Sequence, residues 1–207
     1  MKLYTNPFSP NARRPALVAK HLCLEVEDVI LELGKGDLRK PEFLAINPNG
    51  RVPVLVDGDF VLTESRAIMQ YLASKKPEAG LLPADERARA DVTRWQLWDA
   101  EHLSAATNTL TFEKLLKPML GMGEASATAV SDALGRFERA AKVLEAHLEG
   151  RDWVVGKALT IADYTLACAL MYAGAVELSL EPYPNIKAWM GRIRELDAWR
   201  QTEPKMG

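Results

Sequence analysis

The 207-residue sequence predicts an α/β region followed by an all-α region. Three observations carry this reading. Short strand-like and helix-like runs alternate up to Lys76, only helical periodicity follows Asp85, and the segment between them holds Pro77, Gly80 and Pro83, which interrupt any regular element. The expected division is therefore residues 1–78 and residues 85–207, joined by the linker Pro77 to Ala84. A hydrophobic share of 48% is enough to give the chain a packed core.

The elements follow in order. Lys2 to Tyr4 is a short strand, Ala16 to Leu22 a helix, and Val26 to Leu33 a second strand rich in Val, Ile and Leu. Pro53 to Val56 and Phe60 to Thr63 flank Asp57-Gly58-Asp59, and such a turn between two apolar runs predicts a hairpin. Ala67, Ile68, Tyr71 and Leu72 recur at helical spacing, so Ser65 opens an amphipathic helix that fades at Lys75-Lys76-Pro77. The region reads β-α-β, then β-β-α. In the second region Val92, Trp95, Trp98, His102, Ala106 and Leu110 mark one face of a long helix. Val130, Leu134, Phe137, Ala141, Leu144 and Leu148 mark another, ending at Gly150. Ile161 to Val176 is apolar nearly all round, as a central buried helix is, and Ile186, Trp189, Ile193 and Leu196 form a further stripe.

Composition excludes several functions. Lys and Arg (26) nearly balance Asp and Glu (28), so no global field favours nucleic acid or an anionic membrane. Cys23 and Cys168 stand far apart in apolar sequence with no CxxC pair, and His21, His102 and His147 are too scattered for a catalytic dyad or a metal site. No run reaches the ~20 apolar residues of a membrane span, and the opening MKLYTNPFSPN carries no signal-peptide run. The expectation is a reduced, cytoplasmic chain without a metal.

Three places can carry chemistry. Ser9 follows the first strand and precedes a helix, where unpaired N–H groups and a partial positive charge stabilise a thiolate or another anion. Pro15 would lie well inside a helix capped by Ser9, so Asn11 is the expected N-cap, and Ser9 is either a donor or a turn serine. Val52-Pro53 begins a strand. If cis, it turns the Val52 backbone toward an extended ligand; if trans, Pro53 merely opens an edge strand. At Glu64-Ser65 a helix-capping hydroxyl can meet a carboxylate and the acid an ammonium, although capping alone explains Ser65 equally well. Thr160-Ile161-Ala162-Asp163 fits a capping box and reads as structural. The tryptophans read as packing residues and the charge run Glu86 to Arg94 as a solvated face.

Taken together, Ser9 with Arg13-Arg14, the run from Phe43 to Leu55, Asp57-Gly58-Asp59, Glu64 to Ile68 and Thr160 to Asp163 resemble, in their order, the cytosolic glutathione S-transferases over essentially the whole chain, and within them the serine-type, phi-like or related bacterial members. The resemblance implies a thioredoxin-like N-terminal domain that holds glutathione and a helical domain that completes an electrophile pocket. It implies that Ser9 donates to the glutathione sulfur, that cis Pro53 presents Val52 to the cysteinyl backbone, and that Glu64 and Ser65 hold the γ-glutamyl end. Lys40, with Arg39 as alternative, would meet the glycine carboxylate. Glutathione is then the co-substrate and a hydrophobic electrophile its partner. Phe8, the Asn11-Ala12 turn and residues 102–112 are expected to line the electrophile pocket.

The same resemblance implies a homodimer with the Arg66 to Lys76 helix at its contact, and raises Asp99 as a group reaching the partner's ligand; a solvated helix aspartate is the simpler reading of that residue. Within the fold, glutathione-dependent peroxide reduction or dehalogenation are alternatives. A non-catalytic binding or scaffold protein is the rival, opposed by the presence of Ser9, Val52-Pro53, Glu64 and Ser65; a thiol-disulfide oxidoreductase would require a cysteine in place of Ser9.

Overall fold

The computed structural model describes residues 1–204 and divides into two compact units, one of Met1–Leu82 with the residues from Arg194 onward, the other of Pro83–Ile193. The chain after Arg194 thus belongs with the first unit, unlike in the expected 85–207 region.

In the first unit, β1 (Lys2–Thr5), α1 (Pro10–His21), β2 (Glu27–Ile30), α2 (Pro41–Ile46), β3 (Val54–Asp57), β4 (Phe60–Thr63) and α3 (Ser65–Ser74) follow one another. The sheet order is β2-β1-β3-β4, with β1 parallel to β2 and β3 antiparallel to both β1 and β4. The apolar faces of α1 and α3 supply Leu17, Val18, Ile68, Met69 and Leu72, all fully buried, as are Leu3, Val54 and Leu55 of the strands. The β3–β4 hairpin closes through Gly58-Asp59, with Gly58 at φ +64, a first-position geometry that glycine adopts without strain. Tyr71 Oη and Lys75 Nζ on α3 both donate to Asp57 Oδ2, at 2.7 and 2.8 Å, and hold that carboxyl below the usual carboxylate range.

α1 begins six residues earlier than its periodicity predicts. Ser9, not Asn11, is its N-cap, and Pro15 lies inside the helix. Pro10 at the first helical position suits its fixed φ and missing N–H, and the buried Pro15 ring forfeits one intrahelical bond without ending the helix. A C-terminal helix secures the other side of α1. Arg13, 3% exposed, donates to the Trp199 carbonyl at 2.7 Å and to Thr202 Oγ1 at 3.2 Å, and its guanidinium lies 3.8 Å from the Trp199 ring centroid. Cys23 is exposed and Cys168 buried, both free.

In the second unit, α4 (Glu86–Trp98) runs through a π-helical stretch (Asp99–Leu103) into α5 (Ser104–Thr111), a second π stretch (Phe112–Leu116) and α6 (Lys117–Met119). Asp99 and Leu103 stand seven and eleven residues after Val92, so regular helical spacing keeps them on its face. Both are buried, whereas Trp98 is half-exposed and His102 exposed, contrary to the expected stripe. α7 (Ala127–His147) buries Phe137, Ala141 and Leu144 but leaves Leu134 exposed. α8 (Ile161–Ala169) is buried at all nine positions and ends well before Val176. α9 (Pro184–Glu195) buries Ile186, Trp189 and Ile193.

The capping box at the start of α8 is complete. Asp163 accepts from the Thr160 N–H at 2.8 Å and Thr160 Oγ1 at 3.1 Å through one oxygen, and from the Val154 N–H at 2.8 Å and Trp189 Nε1 at 3.0 Å through the other. Burial pushes this carboxyl up, and the four donors oppose it. Among the described residues no helix is long and apolar enough to cross a membrane.

Candidate glutathione site

Strand register gathers the predicted site at one end of the sheet. Val54, which opens β3, lies between Tyr4 of β1 and Thr63 of β4, and Thr5 pairs with Ile30 of β2. The segments leaving β1, β2 and β4, which carry Ser9, Arg39-Lys40 and Glu64-Ser65, therefore depart from the end at which Val52-Pro53 enters β3.

Ser9 sits on a turn held from below. The buried Asn6 donates through Nδ2 to the Leu31 carbonyl at 2.8 Å and accepts from the Phe8 N–H at 3.0 Å, while its own carbonyl accepts from the Ser9 N–H at 3.0 Å. The two opposed bonds fix the Asn6 amide and with it the exit of β1. Ser9 Oγ accepts from the Ala12 N–H at 3.3 Å. Its hydroxyl hydrogen has no acceptor among the described residues. Ser9 is half-buried at the positive end of α1, so that hydrogen and the local dipole both favour an anion placed there.

The Val52-Pro53 peptide is cis. Its loop is organised by Asn47, 3% exposed, whose Nδ2 donates to the Arg51 carbonyl at 2.7 Å and whose Oδ1 accepts from the Asn49 N–H at 3.1 Å. Gly50 has φ +58, and a Cβ there would lie 2.9 Å from the Leu38 carbonyl oxygen and 3.1 Å from Arg39 Nη1. Only glycine admits this approach, which sets the Arg39 guanidinium against the loop before Pro53. Lys40 instead pairs with Asp37 Oδ1 at 2.7 Å. Arg39 makes no ion pair among the described residues.

Glu64 is the N-cap residue of α3 and Ser65 its first helical position, one step along from the expected cap. Glu64 holds φ +67 and ψ 111, outside the regions L-residues favour, and its side chain makes no cap bond. Ser65 is buried yet makes no side-chain hydrogen bond among the described residues. An exposed carboxylate and an uncommitted hydroxyl thus flank an uncapped helix start.

Comparison with known proteins shows the family of the chain. Residues 1–74 match the family described as Glutathione S-transferase, N-terminal domain, and residues 107–197 that described as Glutathione S-transferase, C-terminal domain. The chain belongs to the glutathione S-transferase family. It is 37% identical over 207 residues to glutathione S-transferase 3 of Zea mays, covering 98% of this chain and 92% of that one. To glutathione S-transferase D7 of Drosophila melanogaster it is 33% identical, covering 97% and 88%. A solved glutathione S-transferase-I bound with lactoylglutathione superposes with a TM-score of 0.88 at 32% identity, covering 98% of this chain and 97% of that one. The expected thioredoxin-like N-terminal domain with a helical C-terminal domain is therefore the fold.

Two readings of this transferase change. Asp99 is fully buried in its own chain, where Ser104 Oγ donates to both carboxylate oxygens at 3.0 Å. A carboxylate so enclosed is neither solvated nor able to reach a ligand on a partner subunit. Asn6 and Asn47, which the sequence reading passed over, each brace a site loop. Their signal was present in Asn-x-x-Ser after a strand and Asn-Pro-Asn-Gly before one, since asparagine bonds to nearby backbone in turns. Of the expected electrophile-pocket residues, Phe8 beside Ser9 is 45% exposed, and Phe112 in the second unit 39%.

Proposed function

We propose that this chain binds glutathione at the sheet end described above, activates it at Ser9 and conjugates it to hydrophobic electrophiles. The observation that carries the reading is the state of Ser9, whose oxygen is committed to α1 while its hydrogen is open at a helix N-terminus. That hydrogen bonds a thiolate more strongly than a thiol, so the sulfhydryl proton leaves to solvent at a lower pH. The sulfur lone pair then forms a C–S bond as the leaving group departs with its electrons, or as a strained oxygen accepts them and a proton from water.

In this reading the Val52 backbone meets the cysteinyl residue in strand fashion beside cis Pro53. Glu64 meets the γ-glutamyl ammonium, and Ser65 with the first N–H groups of α3 its carboxylate. Arg39 meets the glycine carboxylate ahead of Lys40, because Asp37 already occupies the lysine. A reducing, cytoplasmic setting supplies glutathione as thiol and suits two free cysteines. The chain forms a homodimer, for which a light-scattering mass of twice 22.9 kDa is expected and a concentration-independent monomer mass would be the refutation.

The test is a panel of glutathione with aryl halides, epoxides, isothiocyanates and organic peroxides. Conjugate formation with at least one carbon electrophile supports the reading. Turnover of peroxide alone assigns the thiolate to peroxide reduction, and no turnover with measurable glutathione binding assigns the chain to the non-catalytic modules of this fold.

A further inference from the structure

Resting on the transferase reading above, we propose that Asn11 supplies a second hydrogen-bond donor to the glutathione sulfur, and that the buried Arg14 is the positioning residue that turns the Asn11 carboxamide to do so. The argument begins with the donors that the start of α1 has left. A helix normally offers four unpaired N–H groups at its N-terminus. Here the Ser9 N–H is taken by the Asn6 carbonyl, Pro10 has none and the Ala12 N–H is taken by Ser9 Oγ. Among the described residues the Asn11 N–H is the backbone donor of the first turn that remains unclaimed. A thiolate placed there would find the Ser9 hydroxyl and, from the backbone, one N–H in place of the usual several.

The Asn11 side chain makes up that deficit. Arg14 is 1% exposed, and its Nη1 donates to Asn11 Oδ1. A guanidinium carries donors only, so the amide oxygen must face it and Nδ2 must occupy the opposite side of the carboxamide. Asn11 is half-buried, two residues after Ser9, and its Nδ2 has no partner among the described residues. Arg14 is therefore an orienting cation beneath the first turn. It fixes the amide so that the side facing away from the core donates, and a group of the same shape that both donates and accepts would not impose that choice.

The experiment measures the thiol pKa of bound glutathione by thiolate ultraviolet absorbance in wild type, Asn11→Asp, Arg14→Gln and Arg14→Lys, with thermal midpoints recorded for each. Asn11→Asp keeps and strengthens the contact with Arg14, so the midpoint should not fall. It replaces the outward donor by a carboxylate oxygen, and the bound thiol pKa should rise by about one unit or more, equivalent to about 1.36 kcal/mol per unit. Arg14→Gln frees the amide to turn and should raise the thiol pKa part of the way. Arg14→Lys, again donor-only, should hold it near the wild-type value, a split that a purely structural role for Arg14 does not produce. A folded Asn11→Asp protein whose bound thiol titrates as in wild type overturns the proposal while leaving the transferase reading in place. Wild-type bound glutathione that titrates like the free thiol removes both.

Discussion

In the proposed mechanism Ser9 has two tasks, and replacing it by glycine separates them. As N-cap it accepts one N–H at 3.3 Å, a long bond, and glycine substitutes for a capping serine at a cost of only a few tenths of a kcal/mol, against about 1 kcal/mol for alanine. As donor to sulfur its loss removes a hydrogen bond to a charged acceptor, about 1.5–3 kcal/mol, which raises the bound thiol pKa by about one to two units. The two effects on rate oppose each other. A more basic thiolate is also more nucleophilic, with a Brønsted slope of about 0.4–0.5, so roughly half of the lost ionisation is recovered as reactivity. Below the wild-type bound pKa, Ser9→Gly should conjugate roughly four- to sixteenfold more slowly at saturating glutathione. Above the ordinary thiol value of about 8.5 both proteins hold thiolate, and the variant should become roughly three- to tenfold faster. The profiles therefore cross. The assay is kcat against pH with one aryl halide, accompanied by urea unfolding to confirm that stability is nearly unchanged. Parallel profiles with a constant offset would show that the hydroxyl does not act through sulfur ionisation, and coincident profiles that it does not act at all.

Two further predictions concern Glu64 in the first unit and Asp163 in the second. Glu64→Gly should release about 1–3 kcal/mol of backbone strain, less about 0.5–1 kcal/mol for the added freedom of the unfolded chain, while weakening glutathione binding; Glu64→Ala should weaken binding without the gain. Urea unfolding and calorimetry on both variants decide it, and a Glu64→Gly protein of lower stability with unchanged affinity would refute both parts. Asp163→Ala leaves the Val154 and Thr160 N–H groups and Trp189 Nε1 without their acceptor, at about 1–3 kcal/mol each, a sum comparable with the whole stability of a typical domain. Expression as soluble protein with a wild-type thermal midpoint would show that water replaces the carboxylate.

The strands, the hairpin and the complete capping box were legible because each depends on residues within a few positions of one another: a Gly in a two-residue loop, a Thr three before an Asp. The start of α1 was misread because the rule against an internal proline outweighed Pro10, whose place at the first helical position was the better signal. α2 is six residues long, too short to show a period, and only Pro41 marked it. Asp99 was read as solvated because a charged side chain on a helix usually is, although it stands seven residues after Val92 and four after Trp95, on the face that is buried. Arg13 and Arg14 were read as part of a motif without a place in the core. Their burial depends on acceptors that sequence patterns do not reveal, most plainly the Trp199 carbonyl, 186 residues from Arg13.

The helix starts of this chain also bear on where the candidate site residues fall. At α8 the cap is closed, since Thr160 and Asp163 satisfy each other and the surrounding donors, and such a terminus has nothing left to offer a ligand. α4 and α7 are closed in a simpler way, by Asp85 accepting from Ala88 and Ser126 from Ala129. Of the helix starts at the candidate-site end of the sheet, α1 is capped by a serine oxygen as α7 is, and α3 has no side-chain cap. Ser9 caps α1 with its oxygen but keeps its hydrogen, and Glu64 leaves α3 without a side-chain cap while its backbone sits in a costly conformation. An uncapped start costs about 0.5–2 kcal/mol of stability, and strain at Glu64 adds to it. These costs fall at the start of α3, where the proposed function places the γ-glutamyl end of glutathione, and in that reading ligand binding offsets them.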